Sequence, residues 1–470
     1  MDIRTRIAPS PTGDPHIGTI YIAIFNYVFA KQNNGEFILR IQDTDRERLQ
    51  DDSIDNIIKA LKWFGLNIDE DPIKGGKYGP YIQSQRLNIY KKYIEKLIKN
   101  KSAYYCFCTK DRLEKLRQKS LLNHTQPKYD KHCLTLSKEI INKNLKEKKE
   151  YVIRLNVTAN NDITFKDLVR GNVTINTNSI DDQILIKSDG YPTYHLAAVV
   201  DDHLMKITHV IRGEEWLSST PKHILLYRAF GWEIPEFAHL SLLRNNDKSK
   251  LSKRKNNVSI GWFIQEGYLP EAIINFLILL GWSHPEGIEI MTMNELIKLF
   301  SWDRVTKGGP IFNIDKLNWM NGVYIRQKST KELMSMLSPH LKDIEVSKRS
   351  KIVELEKGRL KKLSDFQNMI EYFIKDPQID DTILYEKYSK KEVSNILTKT
   401  LEILDLFKIT KEAEIKLKEF AENNNYKVGD FFMVIRIAIS GRKATPPLID
   451  IMDIIGFEKI KERIEKIIGR

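Results

Sequence analysis

The sequence predicts a multidomain chain: a doubly wound α/β domain, split by an α+β insertion and followed by an all-α C-terminal region. Three observations predict it. Strand, loop and helix alternate over roughly the first hundred residues, then again from Ser188 to about Arg244. Between them the texture changes, with three cysteines, a charged stretch from Lys138 to Lys149 and β-rich runs such as Tyr151 to Val157. Beyond Gln327 almost every segment carries the 3.6-residue spacing of a helix. At 470 residues the chain exceeds what one hydrophobic core supports. The expected division is 1–98 and 188–248 for the halves of the α/β fold, 99–187 for the insertion, 249–327 for a connecting domain and 328–470 for the helical region.

The elements follow in order. Residues 2–8 form a short β-type run, and Pro9-Ser10-Pro11-Thr12-Gly13 a turn. From His16 onward Ile17, Ile20, Ile24, Tyr27 and Val28 recur at helical spacing. Gly35 to Ile41 is a second strand, and Ser53 to Phe64 an amphipathic helix. Such a unit binds ligands at the carboxyl ends of its strands. After Lys253 the chain turns helical. The apolar run Ala272 to Trp282, broken by Asn275 and Gly281, is too short to span a bilayer and reads as a core helix. Gly441 to Pro447 is the clearest break in the helical region.

Composition narrows the class. With 41% hydrophobic and 29% charged residues and no low-complexity tract, the chain is ordinary for a globular protein. Its net charge of +13 has two readings, a Lys-rich solvated surface or a polyanionic partner whose phosphates it neutralises. Cys106, Cys108 and Cys133 are too few for a disulfide scaffold. Met1 runs directly into Asp-Ile-Arg-Thr-Arg-Ile, so no cleaved leader is expected, and a cytoplasmic protein with no membrane segment follows.

Two short motifs carry phosphate chemistry. His16-Ile-Gly18 opens a helix, where unpaired N–H groups and a partial positive charge suit an anion. His16 would donate to a phosphate oxygen as charge builds there, and Gly18 would let a nucleotide approach the backbone. The competing assignment makes His16 a neighbour of the helix N-terminal cap and Gly18 a turn residue. Lys250-Leu-Ser-Lys253-Arg, far downstream, is a basic loop suited to a triphosphate, or else a solvated surface run. No G-x-x-x-x-G-K-[ST] occurs, which excludes a P-loop.

These motifs, in this order, resemble the two ATP-handling signatures of class I aminoacyl-tRNA synthetases. Arg6-Ile-Ala-Pro-Ser-Pro-Thr-Gly, Arg40-Ile-Gln-Asp-Thr-Asp, Ser188-Asp-Gly-Tyr-Pro-Thr-Tyr-His, Val210-Ile-Arg-Gly-Glu-Glu-Trp and Phe312-Asn-Ile-Asp-Lys-Leu-Asn-Trp closely resemble bacterial glutamyl-tRNA synthetases. The resemblance spans essentially the whole chain. It implies a Rossmann-like catalytic domain, an inserted acceptor-binding domain, a stem-contact domain and an α-helical anticodon-binding region. It also implies activation of L-glutamate by ATP with Mg2+, transfer to tRNA(Glu), and a monomer. Carried over by position, His16, Lys250 and Lys253 are catalytic, and Gly18, Trp216 and Leu243 join them around ATP. Arg6, Ser10, Gln42, Tyr194 and Arg212 are the glutamate contacts. Arg212 resembles the partner of the substrate's γ-carboxylate, a pairing that a planar guanidinium makes bidentately. A structural ion pair with Asp201 or Asp202 is the competing assignment.

Three places depart from the family pattern or stay open. Gln42 stands where the family has a glutamate that pairs with the substrate ammonium, so weaker glutamate binding is expected. The spacing of Cys106, Cys108 and Cys133 matches zinc-bearing members, but the family's fourth ligand position holds Thr135, leaving Tyr129 or His132 to replace it; three reduced thiols are the alternative. Arg359 sits where the family often carries an anticodon-reading arginine, and a solvated helix arginine is equally consistent. A glutamyl-queuosine synthetase would lack the helical region, a glutaminyl enzyme would carry a β-barrel there, and an H-x-G-H nucleotidyltransferase would need a second His where residue 19 is Thr.

Overall fold

The computed structural model describes residues 2–45, 50, 52–251 and 257–469. It divides into two compact units: Met1–Phe263 with Pro270–Ile314, and Ile264–Leu269 with Asp315–Arg470. In the first unit β1 (Arg4–Ile7) leads through a turn into α1 (Ile17–Gln32), and β2 (Glu36–Leu39) returns parallel to β1. The reversal between α1 and β2 is tight. A Cβ on Gly35 would lie 2.2 Å from Ile3 O, so only glycine lets the chain pass there. Helix α1 buries Ile17, Ile24, Phe25 and Val28 completely, each such side chain contributing roughly 1.5–3 kcal/mol.

After α2 (Ser53–Trp63) and α3 (Leu87–Lys99), the predicted change of texture is real. β3 (Ala103–Cys106), α4 (Lys110–Leu122), α5 (Lys138–Lys146), β4 (Val152–Leu155), a hairpin of β5 (Asp162–Asp167) and β6 (Gly171–Asn176), and β7 (Ile184–Ile186) follow. β3, β4 and β7 form an antiparallel sheet. The hairpin belongs to another: the sheet order is β6-β5-β9-β8, with Asp167 of β5 opposite Phe237 of β9.

The α/β alternation resumes with α6 (Tyr194–Leu204), β8 (His209–Gly213), α7 (Thr220–Phe230) and β9 (Glu236–Leu240). β8 and β9 are parallel, in a register that sets Arg212 beside His239 and Gly213 beside Leu240. β8 also runs beside β1: Thr208 N–H donates to Arg4 O at 3.0 Å, and Arg4 N–H to Thr208 Oγ1 at 2.9 Å. The carboxyl ends of β1 and β8 thereby open near the start of α1, as parallel topology requires.

The second unit is helical, as the periodicity predicts, and no strand occurs among its described residues. Helices Lys390–Phe407, Val428–Ser440 and Phe457–Ile468 pack around Ile396, Leu397, Phe431, Ile435 and Ile464, all fully buried. The segment from Gly441 to Pro447 breaks this run, with Gly441 in the left-handed region at φ 69°.

Candidate active site

The first signature lies at the start of α1. His16 is its N-cap in extended conformation, and its Nδ1 accepts the Gly18 N–H at 2.9 Å. An accepting Nδ1 leaves the ring proton on Nε2, so the capping histidine is still a donor. A Cβ on Gly18 would stand 3.1 Å from His16 Nδ1, crowding that ring. No acidic residue occupies the first turn to oppose an anion.

The second signature is tied to the same place. Leu251 N–H donates to Leu243 O at 3.0 Å, and the backbones of Lys250 and Arg244 form an antiparallel β-bridge. Beyond residues 252–256, Ile17 N–H donates to Val258 O at 2.8 Å and Ile260 N–H to Pro15 O at 3.1 Å, flanking the His16–Ser259 bridge. One cavity of about 420 Å³ is consequently lined by His16 and Gly18 from one signature and by Leu243 and Lys250 from the other. Lys253 lies outside the described residues.

The predicted amino-acid contacts Arg6, Ser10, Gln42, Tyr194 and Arg212, with Trp216, line that same cavity. Their bonding separates two kinds of arginine. Arg6 Nε pairs with Asp202 at 3.0 Å, and fully buried Arg40 shares that carboxylate at 2.8 Å. Asp201 accepts from Arg86, Gln83 and Tyr90. Both candidate carboxylate partners of Arg212 are taken, and Arg212 pairs with neither. Its guanidinium, 5% exposed, donates to His239 Nε2 (3.0 Å), Tyr194 Oη (2.9 Å), Thr220 Oγ1 (2.8 Å) and Trp216 O (3.3 Å), with His223 Nδ1 at 3.3 Å. Every one of these acceptors is neutral. Among the described residues no carboxylate balances this cation, and Glu215 is the one carboxylate on the cavity wall.

The imidazoles around Arg212 stay neutral for physical reasons. Burial, reinforced by nearby cations, pushes His195 down to about 3 and His223 well below the usual range. His239 is lowered by burial against the opposing pull of Asp167. Burial raises the Asp167 carboxyl, but the His239 bond and the N–H groups of Arg170 and Val169 outweigh it, so Asp167 stays below its ordinary value.

A separate cluster gathers the cysteines. The three sulfurs lie within 4.8 Å of one another, and Tyr129 Oη stands 3.4 Å from Cys106 Sγ and 3.3 Å from Cys108 Sγ. With Zn–S bonds near 2.3 Å, tetrahedral zinc needs sulfurs just under about 4 Å apart, so three thiolates and the phenol oxygen fit. His132 is not part of that converging group. In the helical unit, Arg359 is committed locally: Nη1 donates to the fully buried Glu356 at 2.8 Å and Nη2 to Ala444 O at 3.1 Å.

Motif reading missed Thr220, His223, His239 and Asp167, which form the walls behind Arg212. One signal was available. Aligning the parallel strands His209–Gly213 and Glu236–Leu240 end to end sets His239 beside Arg212.

Known proteins resemble this chain over essentially its whole length. A family model described as "tRNA synthetases class I (E and Q), catalytic domain" matches residues 2–319, and one described as "Anticodon binding domain" matches 332–468. The glutamate–tRNA ligase of Finegoldia magna is 43% identical over 491 residues, covering 100% of both chains. That of Borreliella burgdorferi is 44% identical, covering 99% of this chain and 98% of its own. A crystal structure of a glutamate tRNA ligase from Elizabethkingia meningosepticum in complex with its amino acid is 37% identical, with a TM-score of 0.90, and covers 100% of this chain and 99% of that one.

Proposed function

The chain belongs to the class I glutamate and glutamine tRNA synthetases, and we propose that its cavity joins L-glutamate to ATP and then to tRNA(Glu) as follows. The observation that carries the reading is Arg212: a buried cation with neutral partners alone, on the wall of a cavity that also holds His16 and Lys250. A dicarboxylic amino acid supplies the charge that the fold withholds. Arg212 and Tyr194 grip the γ-carboxylate, while Arg6, Ser10 and Gln42 orient the α-amino-acid end. Glutamine, whose amide is neutral, forfeits the charged pairing and is rejected.

An α-carboxylate oxygen then attacks the α-phosphorus of ATP. A new P–O bond forms, the bond to the bridging oxygen breaks, and pyrophosphate departs with its electrons. His16 donates through Nε2 to an α-phosphate oxygen, and the charge moving toward pyrophosphate is met by the two signature lysines, Lys250 and Lys253. Gly18 and Leu243 receive the nucleotide next to Trp216. Mg2+ would come with the triphosphate and supply positive charge against its phosphates. A terminal ribose hydroxyl of the tRNA next attacks the activated carbonyl, and AMP leaves.

The proposal extends to the other parts of the chain. Residues 1–98 and 188–248 form the catalytic fold, 99–187 meet the acceptor end, 249–327 the stem, and 328–470, with Arg359, the anticodon arm. Cys106, Cys108, Cys133 and Tyr129 would hold a structural Zn2+ that pins the turns of the insertion. Action as a monomer in the cytoplasm belongs to the same reading; no described helix is long and apolar enough to cross a membrane. Aminoacylation of tRNA(Glu) and tRNA(Gln) transcripts with glutamate and with glutamine is the test. Glutamate charging of tRNA(Glu) is expected, and failure of glutamate to charge either transcript overturns the reading.

A further inference from the structure

Asp167 closes β5, in the hairpin that lies between the two α/β halves in sequence but joins β9 in space. It is 1% exposed, and its two oxygens have separate tasks. Oδ1 accepts the N–H groups of Val169 (2.9 Å) and Arg170 (2.8 Å), which fixes the turn after β5, and, more distantly, that of His239 (3.3 Å) on β9. Oδ2 stands 2.6 Å from His239 Nδ1. His239 is wholly buried, and its other nitrogen faces Arg212 Nε at 3.0 Å and Thr220 Oγ1 at 3.1 Å. An arginine Nε–H can only donate, so His239 Nε2 must be the acceptor and Nδ1 must carry the proton. A carboxylate at Nδ1 enforces that tautomer.

We propose that Asp167 and His239 are positioning residues: through a fixed imidazole tautomer they hold the Arg212 guanidinium toward the cavity, so the inserted hairpin sets the affinity for the amino acid. The proposal rests on the reading of Arg212 as the partner of the substrate's side-chain carboxylate. A carboxylate placed directly on Arg212 would neutralise it and compete with the substrate. Moving that carboxylate one imidazole away orients the cation without quenching it. Thr220 completes the cradle, accepting from Arg212 Nη2 at 2.8 Å.

Asp167→Asn separates the two tasks of Asp167. The amide oxygen still accepts from Val169 and Arg170, but the amide NH2 faces His239 Nδ1. That nitrogen must then accept, the proton moves to Nε2, and it meets the Arg212 Nε–H head on. An Asp-to-Asn change beside a functional histidine is known to act through this tautomer reversal. In aminoacylation of tRNA(Glu), the KM for glutamate should rise about tenfold while the KM for ATP stays within about twofold, the scale of one charged hydrogen bond. The preference for glutamate over glutamine should narrow with it. Thr220→Val, nearly isosteric, should raise the same KM by a smaller factor, and it decides the matter if Asp167→Asn fails to fold by circular dichroism. Arg212→Lys serves as the reference. If Arg212→Lys leaves the glutamate KM unchanged, the carboxylate reading itself fails. If Arg212→Lys raises it while the Asp167 and Thr220 variants do not, the positioning role fails and the carboxylate reading stands. A matched rise in the KM values for glutamate and ATP also overturns the positioning role, since general loosening of the site would produce it.

Discussion

Gln42→Glu probes how the cavity receives the ammonium end of its amino acid. Gln42 follows β2, lines the cavity, and anchors its backbone by donating to Pro9 O at 3.0 Å, so the exchange swaps an amide for a carboxylate of the same shape. Glu215 is the one carboxylate on the described wall, and Lys250 Nζ already lies 4.0 Å from it. The same wall carries Arg212, Lys250 and His16, and the charge of Arg6 is balanced by Asp202. An incoming α-ammonium therefore meets a wall short of negative charge. A carboxylate at position 42 turns a neutral acceptor into a charged one, a gain on the order of 1 kcal/mol or about fivefold in KM. Repulsion of the side-chain carboxylate acts over the length of the substrate and falls as 1/r, so the nearer attraction wins. Glutamine carries the same ammonium and should gain equally. The assay is steady-state aminoacylation of tRNA(Glu) at saturating ATP, reading the KM for glutamate and the Ki for glutamine. Both should fall about fivefold with their ratio preserved within about twofold. An unchanged glutamate KM would place the ammonium on Glu215 instead, and a changed ratio would place Gln42 at the side-chain end; either refutes the reasoning.

Acid should weaken the catalytic unit well above the carboxylate range. Burial holds His195 at about 3, His209 at about 4, and His223 and His239 below their ordinary value. Each folded pKa lies under the unfolded value near 6.5, so the neutral forms stabilise the fold above that pH; each contribution drains away toward the folded pKa at up to about 1.4 kcal/mol per pH unit. The unfolding midpoint should fall between pH 7 and pH 5.5, and a flat profile would contradict the buried neutral imidazoles. Metal analysis should find one zinc per chain, lost on Cys133→Ser and weakened by Tyr129→Phe; substoichiometric zinc in the intact protein ends that assignment. In the helical unit Arg463, 4% exposed, donates to Ile439 O (2.6 Å), Tyr372 O (2.9 Å) and Lys375 O (3.2 Å). Arg463→Leu should cost about 3 kcal/mol or more in urea unfolding, since it strands several buried carbonyls, and a loss under about 1 kcal/mol would mean that water replaces the guanidinium.

Six of the residues read from motifs share one structural cause. Arg6 sits in β1, Arg212 in β8 near its carboxyl end, Ser10 and Gln42 just past β1 and β2, Leu243 just past β9, and His16 caps the helix after β1. Parallel strands bring such positions together however far apart they lie in sequence. What the motifs could not give is which charges are already spent. Arg6, Arg40 and Arg212 are all motif arginines, yet two are neutralised and one is not. The difference lies in Asp201 and Asp202, neighbours on α6 whose side chains diverge by about 100° around the helix. One faces Arg86 and Tyr90, the other Arg6 and Arg40, and neither reaches Arg212. The same holds for Asp167 and His239, since a lone histidine in an apolar strand reads as core and its acidic partner arrives from an inserted hairpin. Tyr129 Oη stands among the sulfurs and His132 does not: Lys131, in the left-handed region at φ 58°, opens a short turn that buries Cys133 and leaves His132 outside the cluster. Arg359 is claimed by a glutamate three residues back that the packing buries completely. In each case residue type gave the chemistry on offer, and long-range register decided whether a neighbour had already used it.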